Sequence, residues 1–240
     1  MPEERQQRML VVSAHVGDFI WRSAGTIAKY VQAGTAVDVL VLTYGARGES
    51  GAYWKREGAT LEGCAALRRA EAEAAAEILG VADLTFCGYD DFPLLMTPER
   101  MEDLAQRIAR AQPDLVLTHD LGQDPGNMDH TRTGEAVVKA IAIARARYGL
   151  PHTPVFGFEP MSPEVCAFQP DLYIDITDRY EQKYAAMECL ATQRGSMPSY
   201  VERAKLRGSH CSTRGGRSDC RYAEAFTMLA PAYAHDGFVW

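Results

Sequence analysis

The chain has 240 residues, 47% hydrophobic and 24% charged, with a formal net charge of −7. That length suits one large domain with a sizeable core, so a single catalytic domain over 1–240 is expected. An acidic balance with no dense basic stretch argues against a nucleic-acid partner, and no apolar run reaches the roughly 18–20 residues that span a bilayer.

Residues Met1 to Arg8 are polar and mixed in charge, unlike a secretory signal, so a cytoplasmic protein is expected. The first strand is predicted at 8–14, and Ser13-Ala14-His15-Val16-Gly17-Asp18 leads from it into a helix at 19–33. Gly17 is expected to help a tight turn by taking positive φ, aiming His15 and Asp18 inward. A second strand at 37–43 runs into Tyr44-Gly45-Ala46-Arg47-Gly48-Glu49-Ser50. There Glu49 is a candidate general acid or base, provided burial or the metal tunes its pKa toward neutrality, and Arg47 a candidate clamp for a substrate carboxylate. A helix at 60–79, rich in Ala and Glu, should stop at Gly80. After a strand at 83–87, Thr97-Pro98-Glu99 reads as the capped start of a helix at 98–111.

The fourth strand, 114–118, is followed by His119 and then by Asp124-Pro125-Gly126-Asn127-Met128-Asp129-His130, where a helix at 130–148 begins. A lone histidine after a strand is ordinarily a hydrogen-bonded core or surface residue. Matched positions at two strand ends point instead to a metal site. In parallel sheets ligands gather at the carboxyl ends of strands where strand order reverses, and both patches land on that edge. His15, Asp18 and His130 form a nitrogen/oxygen set that suits zinc and leaves room for water or substrate. Asp129 would orient an imidazole or cap the helix. Asp124 and Asn127 would serve the turn, Asn127 also as a substrate contact. His119 would donate a proton or touch substrate.

Strands at 154–158 and 172–176 and a helix at 178–192 complete an α/β pattern with a mostly parallel, Rossmann-like sheet. Beyond residue 193, Arg194–Pro198 and Gly208–Gly216 have loop composition, and an ordered look resumes at 221–226. This tail would close over the site or pack on a neighbouring subunit, and a homo-oligomer is expected. The basic cluster from Arg203 to Arg221 suits a small anion or a solvated loop, with Arg217 and Arg221 as candidate substrate contacts. None of the six cysteines forms a C-x-x-C pair, so reduced and mostly buried thiols are expected, with Cys211 and Cys220 the two exposed enough to react.

These motifs resemble the PIG-L/LmbE superfamily of metal-dependent de-N-acetylases, with Ala-His-Pro-Asp-Asp near the N-terminus and His-x-Asp-His mid-chain. Within it the chain is most similar to the 4-oxalomesaconate hydratase branch. The shared stretches are Ser13-Ala14-His15-x-x-Asp18-Phe19, Gly45-x-Arg47-Gly48-Glu49-Ser50 and Asp124-Pro125-x-Asn127-x-Asp129-His130. Further matches are Phe158-Glu159-Pro160, Lys183-Tyr184-Ala185-Ala186 and Tyr222-Ala223-Glu224.

The resemblance implies zinc on His15, Asp18 and His130. It also implies hydration of an unsaturated oxo-polycarboxylate, such as 4-oxalomesaconate, in aromatic catabolism. Two departures weigh against amide hydrolysis by the superfamily's usual route: Gly17 stands where deacetylases place the general-base aspartate, and Asn127 where they place a histidine. The hydratase branch has a histidine after Phe-Glu-Pro; Met161 follows here, which implies either a related substrate or a replacement such as His119. The alternatives are a de-N-acetylase or amidase with rearranged acid/base groups, and a metal-binding protein without catalysis.

Overall fold

Apolar runs such as Met9–Val12 and Val37–Leu42 are buried on both sides, the condition of a central parallel strand covered on each face by helices. The computed structural model describes residues 5–230; of the N-terminal segment read above, residues 1–4 lie outside the described residues. The elements are β1 (Arg8–Ser13), α1 (Asp18–Gln32), β2 (Ala36–Thr43), α2 (Leu61–Leu79), β3 (Asp83–Tyr89), α3 (Pro98–Ala111), β4 (Leu115–His119), α4 (Met128–Tyr148), β5 (Val155–Phe158), β6 (Leu172–Asp175), α5 (Tyr180–Glu188), α6 (Met197–Arg214) and β7 (Ala223–Ala230), with a 3₁₀ turn at Ala191–Ser196 before α6.

The sheet has seven strands in the order β3-β2-β1-β4-β5-β7-β6. The first five are parallel, while β7 runs antiparallel between β5 and β6. Strand order reverses between β1 and β4, so the loops that leave these two strands open a crevice at their carboxyl ends. One core, with Phe19, Ile27, Ala75 and Met187, lies under α1, α2 and α5. The other, with Leu104, Ile108, Val137 and Ile141, lies under α3 and α4. No described helix is long and apolar enough to cross a membrane.

Capping chemistry sets the boundaries. The Thr60 and Thr97 hydroxyls accept the Gly63 and Arg100 N–H groups, and Gly80 ends α2 at φ 73°, as the sequence predicts. Two expectations fail. Residues 208–214 of the stretch read as loop belong to the helix α6, and Gly215 and Gly216 follow its end; Gly208 is there for space, since a Cβ would lie 2.2 Å from the Arg221 carbonyl oxygen. Cys211 and Cys220 are consequently buried, and the Cys220 thiol is pushed up to about 12, first by burial. Both are sheltered, not reactive.

α1 carries the site and is pinned at mid-length. The Glu224 carboxylate on β7 accepts the Gly25 and Thr26 N–H groups at 3.0 and 2.8 Å. Lys183 on α5 donates to Glu224 at 2.5 Å and to the Trp21 carbonyl at 2.8 Å.

α4 meets the end of β4 through Gly134, where a Cβ would lie 2.5 Å from the His119 carbonyl oxygen. Backbone cannot yield as a side chain can, so Gly134→Ala should cost about 1–3 kcal/mol by overpacking. The expected result is a melting temperature several degrees lower in calorimetry; an unchanged value would mean that this contact tolerates a methyl group.

Candidate metal centre

His15, Asp18, Glu49 and His130 each offer a ligand atom, and these atoms all lie within 4.8 Å of one another. The β1–α1 turn supplies the first two, the loop after β2 supplies Glu49, and the first turn of α4 supplies His130. Glu49, expected only as an acid or base, thus also belongs to the ligand cluster. Its Oε1 is 3.3 Å from His15 Nδ1 and 3.5 Å from His130 Nε2. Asp18 Oδ1 is 3.3 Å from His130 Nε2, and Asp18 Oδ2 accepts the His15 N–H at 2.8 Å.

The residues present fit a divalent cation. Both ring nitrogens of His15 and the Nε2 of His130 are buried without a hydrogen-bond partner, an arrangement that a bound ion relieves. Burial lowers the basicity of both rings, but the carboxylates around them outweigh it: Glu49, Asp129 and Asp18 raise His15 to about 10, and chiefly Asp18 raises His130 to about 9. In the metal-free chain these imidazoles therefore hold protons that an ion would replace. Burial pushes Glu49 up, but His15 and His130 pull it down to about 2. It is an anion in the resting site.

Carboxylates behind the cluster orient the rings. Asp124 Oδ2 lies 2.9 Å from His130 Nδ1, while its other oxygen accepts the Gly126 and Asn127 N–H groups. Asp124 therefore does more than shape the turn. Asp129 faces His15, not its neighbour, with Oδ2 3.5 Å from His15 Nε2. It also accepts the Phe92 and Leu94 N–H groups, both at 2.8 Å. The cap of α4 is Asn127, whose side chain accepts the Asp129 N–H.

Beside the cluster is a cavity of about 300 Å³ lined by Asp18, Arg22, Glu49, Asn127, His130 and Tyr200, among others. Asn127 lines this cavity, and its Nδ2 donates to Glu49 Oε1 at 2.9 Å.

Several candidates do not reach the cavity. His119 is buried behind the ligands, stacked on His130 at 4.4 Å, with Nε2 accepting the Ala14 N–H and lying 3.1 Å from Asp18 Oδ2. Burial, first among the causes, drives it down to about 3, so it is a neutral strut and not a proton donor to substrate. Asp129, held between His15 and the Phe92–Leu94 turn, likewise does not line the cavity. Arg47 turns outward to Asp90, with only its loop backbone held by Asp91. Arg217 pairs with Asp175 and Arg221 is exposed, both away from the cavity. Arg203 and Arg207 of the same basic cluster bind Glu159.

Gly17 also behaves differently from the expectation. Its φ is −75°, ordinary for any residue, and glycine is needed there for space. A Cβ would lie 2.4 Å from Gln193 Oε1 and 2.8 Å from the Trp21 indole nitrogen. The conformational glycine is instead Gly45, at φ 66°, which turns the Glu49 loop tightly over His15.

The cation in the cavity wall is Arg22, which is not among the residues the sequence motifs mark. It is four residues after Asp18, so helical spacing alone places it on the same face. Its Nη1 donates to the Glu159 carbonyl at 2.9 Å.

The model of the family described as PIG-L, GlcNAc-PI de-N-acetylase, matches residues 10–141. A 4-oxalmesaconate hydratase of Pseudomonas putida is 38% identical over 237 residues, covering 94% of this chain and 90% of the relative. The crystal structure of GalB, the 4-carboxy-2-hydroxymuconate hydratase of Pseudomonas putida KT2440, superposes with a TM-score of 0.90 at 35% identity, covering 97% of this chain and all of that one. The N,N'-diacetylchitobiose deacetylase of Pyrococcus horikoshii shares the fold, with a TM-score of 0.78 at 23% identity over 95% of this chain and 85% of that one.

Two outcomes follow for the metal. Metal-free protein titrated with Zn2+ should bind about one ion per chain, and His130→Ala should abolish binding; stoichiometric retention in that variant would remove His130 from the ligand set. Because two imidazoles give up protons, calorimetry in buffers of different ionisation enthalpy should show proton release on binding at neutral pH, with affinity rising with pH. Binding without proton release would contradict the protonated resting cluster.

Proposed function

This chain belongs to the PIG-L family, and from that premise we propose that it is a metal-dependent hydratase adding water across a carbon–carbon double bond conjugated to a carbonyl in a small polycarboxylate. The observation that carries the reading is Glu49. It is a carboxylate set against the imidazole cluster and open to the cavity, with no second acid/base carboxylate at Gly17. Full-length similarity to two hydratases supports the same reaction class. The 4-oxalmesaconate on which the Pseudomonas putida relative acts is the substrate to try first, and a role in aromatic catabolism would follow from it. The metal we assign is zinc, since two imidazole nitrogens and carboxylate oxygens are a ligand set that it accepts.

Hydration needs a base that later becomes an acid. Glu49 accepts a proton from water as the water oxygen bonds to the β-carbon. The π electrons then shift toward the carbonyl, and the same carboxyl returns the proton to the α-carbon. The metal, when bound, supplies Lewis-acid stabilisation of the negative charge that develops on the substrate. Asn127 and Gln193 hold Glu49 through its two oxygens, at 2.9 and 3.2 Å. Arg22 offers positive charge to a substrate carboxylate at the cavity wall. Burial pushes the Tyr200 phenol up to about 12, so it stays a neutral donor.

Amide hydrolysis fits less well. The place a base would take beside Asp18 is filled by Gln193 and Trp21, which hydrogen-bond to each other at 3.2 Å.

Glu49→Gln should retain turnover lowered by about 10²–10⁴-fold on 4-oxalmesaconate, with folding unchanged. Full activity in that variant would remove Glu49 from the mechanism.

A further inference from the structure

Arg68 on α2 is fully buried, the largest side chain so enclosed among the described residues. Its Nε donates to the Tyr44 carbonyl at 3.2 Å, and its Nη1 to Glu71 Oε2 and the Thr192 hydroxyl at 3.1 and 3.0 Å. Nη2 is buried without a hydrogen-bond partner. The group it faces is Glu49, whose Oε2 is 3.7 Å away. Glu71 also accepts the Thr192 N–H at 2.8 Å and the Thr192 hydroxyl at 2.6 Å. That fixes the backbone at residue 192, so Gln193 presents its amide to the same Glu49 oxygen. The two oxygens of Glu49 thus look in opposite directions, Oε1 to the imidazoles and Oε2 to a cation anchored from behind.

A buried guanidinium N–H left unpaired is unfavourable unless a partner can come to it. The short gap to Glu49 provides one. We propose that Arg68 is the positioning residue of Glu49, receiving the carboxylate when substrate displaces it from the imidazole cluster and holding one orientation through both proton transfers. This inference rests on the reading of Glu49 as the proton carrier. Arg68 itself touches no substrate, and its effect passes entirely through Glu49.

The test is a double-mutant cycle of Arg68→Met and Glu49→Gln, measuring kcat, KM and metal content. Arg68→Met is expected to lower kcat about 10–100-fold, leaving KM within about threefold and metal content at the wild-type level, a fraction of the full acid/base contribution. In the Glu49→Gln background the same change should cost less than about twofold, because residues acting as one unit are non-additive. Arg68→Lys should recover part of the lost kcat. An unchanged kcat, or an equal loss in both backgrounds, would overturn the inference and leave Arg68 a purely structural residue. If Glu49→Gln is itself unimpaired, the Glu49 reading has failed, a result visible before Arg68 is considered. Should Arg68→Met not fold, the cycle with Arg68→Lys decides: a several-fold loss confined to the Glu49 background supports the proposal, and an equal loss in both overturns it.

Discussion

The burial of Asp18 among three imidazoles and a guanidinium is the constraint on which the rest of the structure depends. A carboxylate so far from water is costly unless its partners are close and correctly aimed, and desolvation takes several kcal/mol per ion. His130 Nε2 and Arg22 Nε meet Asp18 at 3.3 and 3.4 Å, and the His15 backbone N–H donates to it at 2.8 Å. The surrounding fold answers that demand. Glu224 and Lys183 pin α1, Gly134 lets α4 approach β4, and Asp124 and Asp129 face the back of the His130 and His15 rings. What remains without a hydrogen bond is His15 Nδ1 and His130 Nε2, which both face Asp18 and Glu49. A divalent cation is the simple completion of that set.

The same geometry bears on which reaction the site can run. Gln193 cannot rotate freely, because its Oε1 accepts the Trp21 indole N–H while its Nε2 donates to Glu49. The space above Gly17 is therefore occupied by an amide whose two ends are both committed. A side chain there would have to displace Gln193 Oε1 and the Trp21 indole nitrogen, 2.4 and 2.8 Å from the Cβ position.

The parallel sheet and most helix ends were legible because each rests on local signals. Apolar runs mark the strands, threonine caps and Gly80 mark helix ends, and matched histidines at two strand ends mark the site. The helix α6 was hidden because Gly208, Ser209, Ser212 and Thr213 have loop character, and the close approach of the backbone at residues 221–222 that calls for Gly208 is not visible in the sequence. β7 was hidden because Ala223, Glu224, Ala225 and Phe226 are all buried, leaving no alternation to read. The arginines expected at the substrate lie away from the cavity for a related reason. Charge is visible in a sequence, but whether a guanidinium faces a cavity or a surface carboxylate is decided by long-range packing. Arg22 had a helical relation to Asp18 and could have been found. Arg68, Gln193 and Tyr200 reach the site or its supports through contacts distant in sequence, and no local pattern reports them.

The most direct measurement follows the conjugated chromophore of 4-oxalmesaconate with zinc-loaded protein, with and without chelator, alongside amine release from an N-acetylglucosamine conjugate. The account predicts loss of the chromophore that chelation abolishes and zinc restores, with no amine released. Amine release with the chromophore untouched would contradict it, placing this chain with the hydrolases of its family.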